Sequence, residues 1–146
     1  MSEKEIRAGI DAMWAAYNEK NADGFVGGAA EDLKVSFDGG PPRFHSRAEF
    51  RDYAKSMMSW SSDEKVDVVR TIISGNTAAV ELHMTGTHDG VPLSGIPGRD
   101  ISEPVEATGA KVDIKWVIVG DFEKGKLQNL QVFFNPMVWL EQIGGL

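Results

Sequence analysis

The sequence predicts an α+β domain in which helices come first and an antiparallel sheet follows. Apolar residues recur at helical spacing through the N-terminal part of the chain, and from Val66 onward they alternate with a period of two. No repeat, low-complexity run or linker-like stretch divides the 146 residues, so residues 1–146 read as one domain.

Ile6, Ile10, Met13, Trp14 and Tyr17 mark one face of a first helix over residues 3–20. A short helical segment over 23–30, weakened by Gly24, Gly27 and Gly28, leads into LKVSFDGGPPRF, which reads as a strand ending at Asp38 and a turn. Ser46, with Glu49 three residues on, caps a third helix whose face carries Phe50, Tyr53, Ala54 and Met57. Four strands follow, VDVVRTIISG, TAAVELHMTGTH, AKVDIKWVIVGDF and KLQNLQVFFN, and short turns between them predict an antiparallel meander. The segment 91–107 holds Pro92, Pro97 and Pro104, fits neither period, and is expected to be a loop acting as a lid. Asn135-Pro136 ends the last strand and starts a closing helix, PMVWLEQIG.

Composition narrows the function classes. A net charge of -7 argues against nucleic acid or an anionic membrane as the main partner, since both demand a basic surface. With no cysteine, thiolate catalysis and cysteine metal sites are excluded. His83 and His88 fall on opposite strand faces and cannot share one ion, so no metal is expected. The start MSEKEIRAG lacks the basic and apolar regions of a signal peptide, and a cytoplasmic location is expected.

Two residues stand out as candidates for chemistry. Asp38 ends its strand beside a Gly-Gly-Pro-Pro turn; at an apolar pocket mouth its carboxylate would be made more basic by desolvation, whereas in solvent it would cap the turn. His88 shares a strand face with Val80, Leu82 and Met84, so it is expected to look inward as an acid, base or hydrogen-bond donor. His45, before the third helix, reads as a loop histidine. Trp14, Tyr17, Met57, Met84, Val117, Leu130, Val132 and Phe134 are expected to line an apolar pocket that binds a small hydrophobic molecule. Asn135 joins that set as an amide able to meet a ligand carbonyl, or else caps the closing helix. Strand 112–122 is apolar on both faces, which predicts that a second copy covers the outer face.

GTHDGVP with ATGAKV, FEKGKL, and the ending VFFNPMVWLEQIG together resemble the SnoaL-like polyketide cyclases and ketosteroid isomerases of the nuclear transport factor 2-like superfamily. The resemblance implies a cone-shaped α+β barrel with N-terminal helices packed on a curved antiparallel sheet. It places Asp38 where ketosteroid isomerases keep their general base, His88 where SnoaL-like chains often carry a histidine, and Val117 where those isomerases keep an acidic donor. It implies cofactor-independent isomerisation, cyclisation or dehydration of a hydrophobic carbonyl compound by a homodimer. The alternative it leaves open is a ligand-binding or dimerisation module without turnover.

Overall fold

A computed structural model describes residues 1–91, 93–96 and 99–144. The order is α1 (Glu3–Asn18), α2 (Ala22–Phe25), β1 (Ala29–Phe37), β2 (Pro42–Phe44), α3 (Arg47–Met57), β3 (Lys65–Ser74), β4 (Thr77–Thr87), β5 (Leu93–Ile96), β6 (Arg99–Val105), β7 (Lys111–Glu123), β8 (Lys126–Phe133) and α4 (Pro136–Ile143). Six strands form one curved, open sheet in the order β2-β1-β8-β7-β4-β3, with helices packed on one face.

The expected meander is present as β3-β4-β7-β8, antiparallel throughout. One pairing departs from the expected antiparallel sheet: β1 runs parallel to β8, with Val35 opposite Leu130 and Phe37 opposite Val132. Parallel neighbours cannot be joined by a tight turn, and here the whole of α3 and the meander intervene. The second helix is shorter than expected. It ends at Phe25, because Gly27 and Gly28 break it and Ala29 already pairs with Leu127.

The described residues between 91 and 107 are more regular than the prolines implied, since β5 and β6 pair antiparallel. Pro92, Pro97 and Gly98 lie outside the described residues, and with them the part of the lid expectation that falls there.

Alternation decides which side chains enter the core. Ala78, Val80, Leu82 and Met84 of β4 and Val112, Ile114 and Ile118 of β7 are buried. In β8 the spacing from Leu127 to Leu130 breaks the period, and a bulge between Asp121 and Phe122 absorbs the extra residue. Two side-chain amides pin helices to the sheet by imitating a strand partner. Asn18 accepts from the Val66 N–H at 2.8 Å and donates to the Val66 carbonyl at 2.9 Å. Gln142 does the same for Asp113, at 2.8 and 2.9 Å, which docks α4 against β7. Among the described residues no helix is long and apolar enough to cross a membrane.

Candidate functional site

α1, α3, α4 and the concave face of the sheet enclose an aromatic pocket, about 610 Å³ of free space counted out through its open mouth. Trp14, Tyr17, Met57, Met84, Leu130, Val132 and Phe134, all expected there, line it. Edge-to-face contacts knit its walls: Trp14 to Trp116 at 5.5 Å, Trp116 to Phe134 at 5.6 Å, Phe134 to Trp139 at 5.9 Å and Trp139 to Trp60 at 5.5 Å.

Among the described residues one charged side chain lines this pocket, Glu64. The Tyr17 hydroxyl donates to its Oε1 at 2.9 Å. Burial pushes the Glu64 carboxyl up to about 7, against the smaller opposing pulls of the Trp60 and Tyr17 donors and the Lys20 ammonium. The same burial, with Glu64 beside it, raises the Tyr17 hydroxyl well above its ordinary range. A carboxyl poised near neutrality can both take and return a proton at physiological pH.

The segment that carries Glu64 is tied to the end of β4. Asp63 accepts from the Thr87 N–H at 2.7 Å, the Thr87 hydroxyl at 3.0 Å and the Ser61 hydroxyl at 2.9 Å. Asp89 accepts from the Ser62 N–H at 2.8 Å and its hydroxyl at 2.6 Å. These bonds hold both carboxyls below their usual range, so both anchors stay charged. Gly90 and Val91 donate to the Trp60 and Ser59 carbonyls, each at 2.9 Å. A Cβ at Gly90 would stand 2.0 Å from the Ser59 oxygen, so this approach requires glycine.

Five polar atoms of the pocket's lining residues are buried and have no hydrogen-bond partner among the described residues: the indole nitrogens of Trp14, Trp60, Trp116 and Trp139, and the Tyr53 hydroxyl. The Trp60 N–H lies near enough to Glu64 to favour the charged carboxylate, but its geometry falls short of a hydrogen bond. Burial also raises the Tyr53 hydroxyl, which therefore stays protonated and able to donate. Unpartnered buried donors are rare in folded proteins, and here they gather around one pocket.

Four expected site residues lie elsewhere. Asp38 is exposed, with a left-handed backbone at φ 51°, and its Oδ1 accepts from the Phe134 N–H at 3.0 Å while its own N–H donates to the Val132 carbonyl. It fastens β1 to the end of β8 outside the pocket lining, because β1 ends at the sheet rim. His88 is fully buried but sits behind the wall, its ring 6.1 Å from that of Trp60. The Thr108 N–H donates to its Nδ1, which puts the ring proton on Nε2, and burial lowers its pKa. Asn135 caps α4 by accepting from the Met137 N–H at 3.0 Å. Val117 faces the opposite side of the sheet beside Arg70, Ile72 and Glu81, since β7 turns Ile114, Trp116 and Ile118 toward the helices.

Glu64 and Tyr53 escaped the sequence reading as chemistry. A signal for Glu64 was present: it precedes Val66 and Val68 at a spacing of two, the inward face of β3. Among the described residues no three His, Cys, Asp or Glu side chains converge as a metal site.

Residues 10–129 match the family model of the SnoaL-like domain. No curated protein matches the chain. Several solved structures resemble it over nearly their whole length. AclR from Streptomyces galilaeus, a proposed hydroxylase, is 21% identical, with 99% of each chain covered and a TM-score of 0.79. TsrD from Streptomyces laurentii is 16% identical over 100% of this chain and 99% of its own, at 0.82. A proposed SnoaL-like polyketide cyclase from Jannaschia sp. CCS1 is 14% identical over 100% of this chain and 97% of its own, at 0.81. At such identities the likeness is one of fold.

Proposed function

The chain belongs to the SnoaL-like domain family, and we propose that it catalyses cofactor-independent proton transfer on a small hydrophobic carbonyl compound, with Glu64 as the base. The observation that carries this reading is a lone carboxyl, held by the Tyr17 hydroxyl and poised at about 7, in an otherwise aromatic and aliphatic pocket. The ionised Glu64 takes a proton from the carbon beside the carbonyl; the C–H electron pair moves into the enolate, and the negative charge goes to its oxygen. The Tyr53 hydroxyl, a buried donor without a partner, supplies the hydrogen bond to that oxygen. Return of the proton from Glu64 to another carbon completes an isomerisation, and the balance needs no further reactant. Tyr17 keeps the carboxylate oriented through both steps, and the aromatic walls keep water from the enolate.

The flat ketone 2-tetralone serves as a probe, with exchange of its α-protons in D2O followed by NMR. The wild type is expected to accelerate exchange over buffer, and Glu64→Gln to lose roughly a hundredfold or more of that acceleration. Equal rates for the two proteins would refute Glu64 as the base. The reading includes a homodimer through the outer sheet face, supported by Ile72, Val117 and Phe133 standing 61%, 37% and 40% exposed there. Analytical ultracentrifugation of the wild type and Phe133→Glu tests it, and a monomeric wild type would refute it.

A further inference from the structure

α1 ends in a turn that glycine ordinarily makes. The Lys20 N–H donates to the Tyr17 carbonyl and the Asn21 N–H to the Ala16 carbonyl, each at 2.9 Å, which are the two bonds of a Schellman ending. That turn needs a left-handed backbone after the helix, and Lys20 supplies it at φ 58°. Glycine adopts this conformation without crowding a Cβ, whereas lysine does not, so the turn itself does not explain the lysine.

Its side chain does. The Lys20 ammonium reaches away from α1 and donates to the Ser61 carbonyl at 2.9 Å, 41 positions along the chain. Tyr17, three positions before Lys20, donates to Glu64, three positions after the buried Ser61. The end of α1 thus meets this segment twice, one contact holding the backbone that leads to Glu64 and the other holding its carboxyl. Asn18 adds a third contact through Val66.

Few groups bear on that carboxyl. α1 brings Tyr17 and Lys20, and Trp60 comes from the carboxyl's own segment. α3 adds Tyr53 to the pocket lining, while β4, β7, β8 and α4 add no titratable side chain to it among the described residues. Asp63 and Asp89 accept from Ser61, Ser62 and Thr87, and His88 lies behind Trp60. Lys20 is the cation of this set.

We infer that Lys20 is a positioning residue for the proton transfer: seated on the Ser61 carbonyl, its ammonium is the counter-charge to the Glu64 carboxylate that Tyr17 orients. The inference rests on the reading of Glu64 as the base. A counter-charge favours the ionised carboxyl, so its effect on rate is confined to the pH range in which Glu64 is still gaining its charge.

The pH profile of 2-tetralone exchange tests this. In the wild type the acceleration over buffer should rise with pH through about 7 and then level off, as Glu64 ionises. Lys20→Met keeps the alkyl stem and removes the charge. Its profile should move to higher pH, with exchange at pH 6 lower by about threefold, the effect of one charge across a partly hydrated gap, and a plateau within about twofold of wild type. Lys20→Arg should restore the wild-type profile. Lys20→Gly, which suits the left-handed turn and so guards against a folding defect, should share the shifted profile of Lys20→Met. A Lys20→Met profile that coincides with wild type, or one lowered by the same factor at every pH, overturns the inference. The coupling is also read without turnover: Lys20→Met should lose more melting temperature at pH 9 than at pH 4.5, where Glu64 keeps its proton, and the excess should vanish in a Glu64→Gln background. An excess that persists there refutes the counter-charge, whereas tetralone exchange that survives Glu64→Gln refutes the base.

Discussion

The Glu64→Gln substitution keeps the shape of the side chain and an oxygen for the Tyr17 hydroxyl, and removes the ability to ionise. Burial moves the carboxyl from 4.5 to about 7. That shift penalises the ionised form by about 3 kcal/mol, and the residual solvent contact of a half-buried side chain trims it to about 2 kcal/mol. Between pH 4.5 and 7 the native protein holds a proton that the unfolded chain has released. Rising pH therefore costs stability across this window, and the whole penalty is present above pH 7. Glutamine escapes it. Melting followed by tryptophan fluorescence should show the variant gaining about 4–8 °C over wild type at pH 9 relative to the same comparison at pH 4.5, for a domain of this size. Any fixed cost of burying the amide shifts both ends equally and drops out of the comparison. His88 slopes the other way: its lowered pKa means that stability is lost as pH falls below 6.5, but it is common to both proteins and cancels. A melting difference that stays constant from pH 4.5 to 9 would refute the buried, near-neutral carboxyl and with it the argument for a base.

Tyr53→Phe should leave stability unchanged or raise it by about 1 kcal/mol, because an unpartnered buried hydroxyl is removed, yet slow tetralone exchange roughly a hundredfold through loss of the enolate donor. Asp38→Asn should leave exchange within about twofold, since the amide oxygen still accepts from Phe134 and asparagine tolerates the left-handed backbone; NMR exchange rates decide, and a collapse would return Asp38 to the chemistry. Gly90→Ala should abolish folding as judged by circular dichroism, because its Cβ meets backbone atoms of Ser59 and Trp60 at 2.0 and 2.6 Å. Gly9→Ala, with open space at its Cβ, should instead stabilise the protein by about 1 kcal/mol.

Much of the architecture was legible in the chain alone because its causes are local. Helical spacing from Ile6 to Tyr17, the Ser46 cap, the period-two runs after Val66 and the Asn135-Pro136 boundary each depend on neighbours a few residues away, and each appears in the structure. Periodicity could not choose between the two apolar faces of β7, so Val117 was placed inward with Leu130 and Val132. The helices cover the other face, and that is a property of the whole packing.

The same limit separates Asp38 from Glu64. Both are carboxylates at a strand end, and the residues around them do not say which one is dry. Asp38 stays in water at the rim, bonded to the Phe134 backbone. Glu64 is carried into the pocket because Asp63 and Asp89 tie its segment to the end of β4 and Asn18 holds α1 against β3, which sets Tyr17 beside it. The sequence by itself determined the elements and most of the pocket's apolar wall, since spacing and residue type are local. Which carboxylate loses its water, and so becomes basic enough to act near neutrality, was decided by contacts between residues 24 to 48 positions apart, and these exist once the chain has folded.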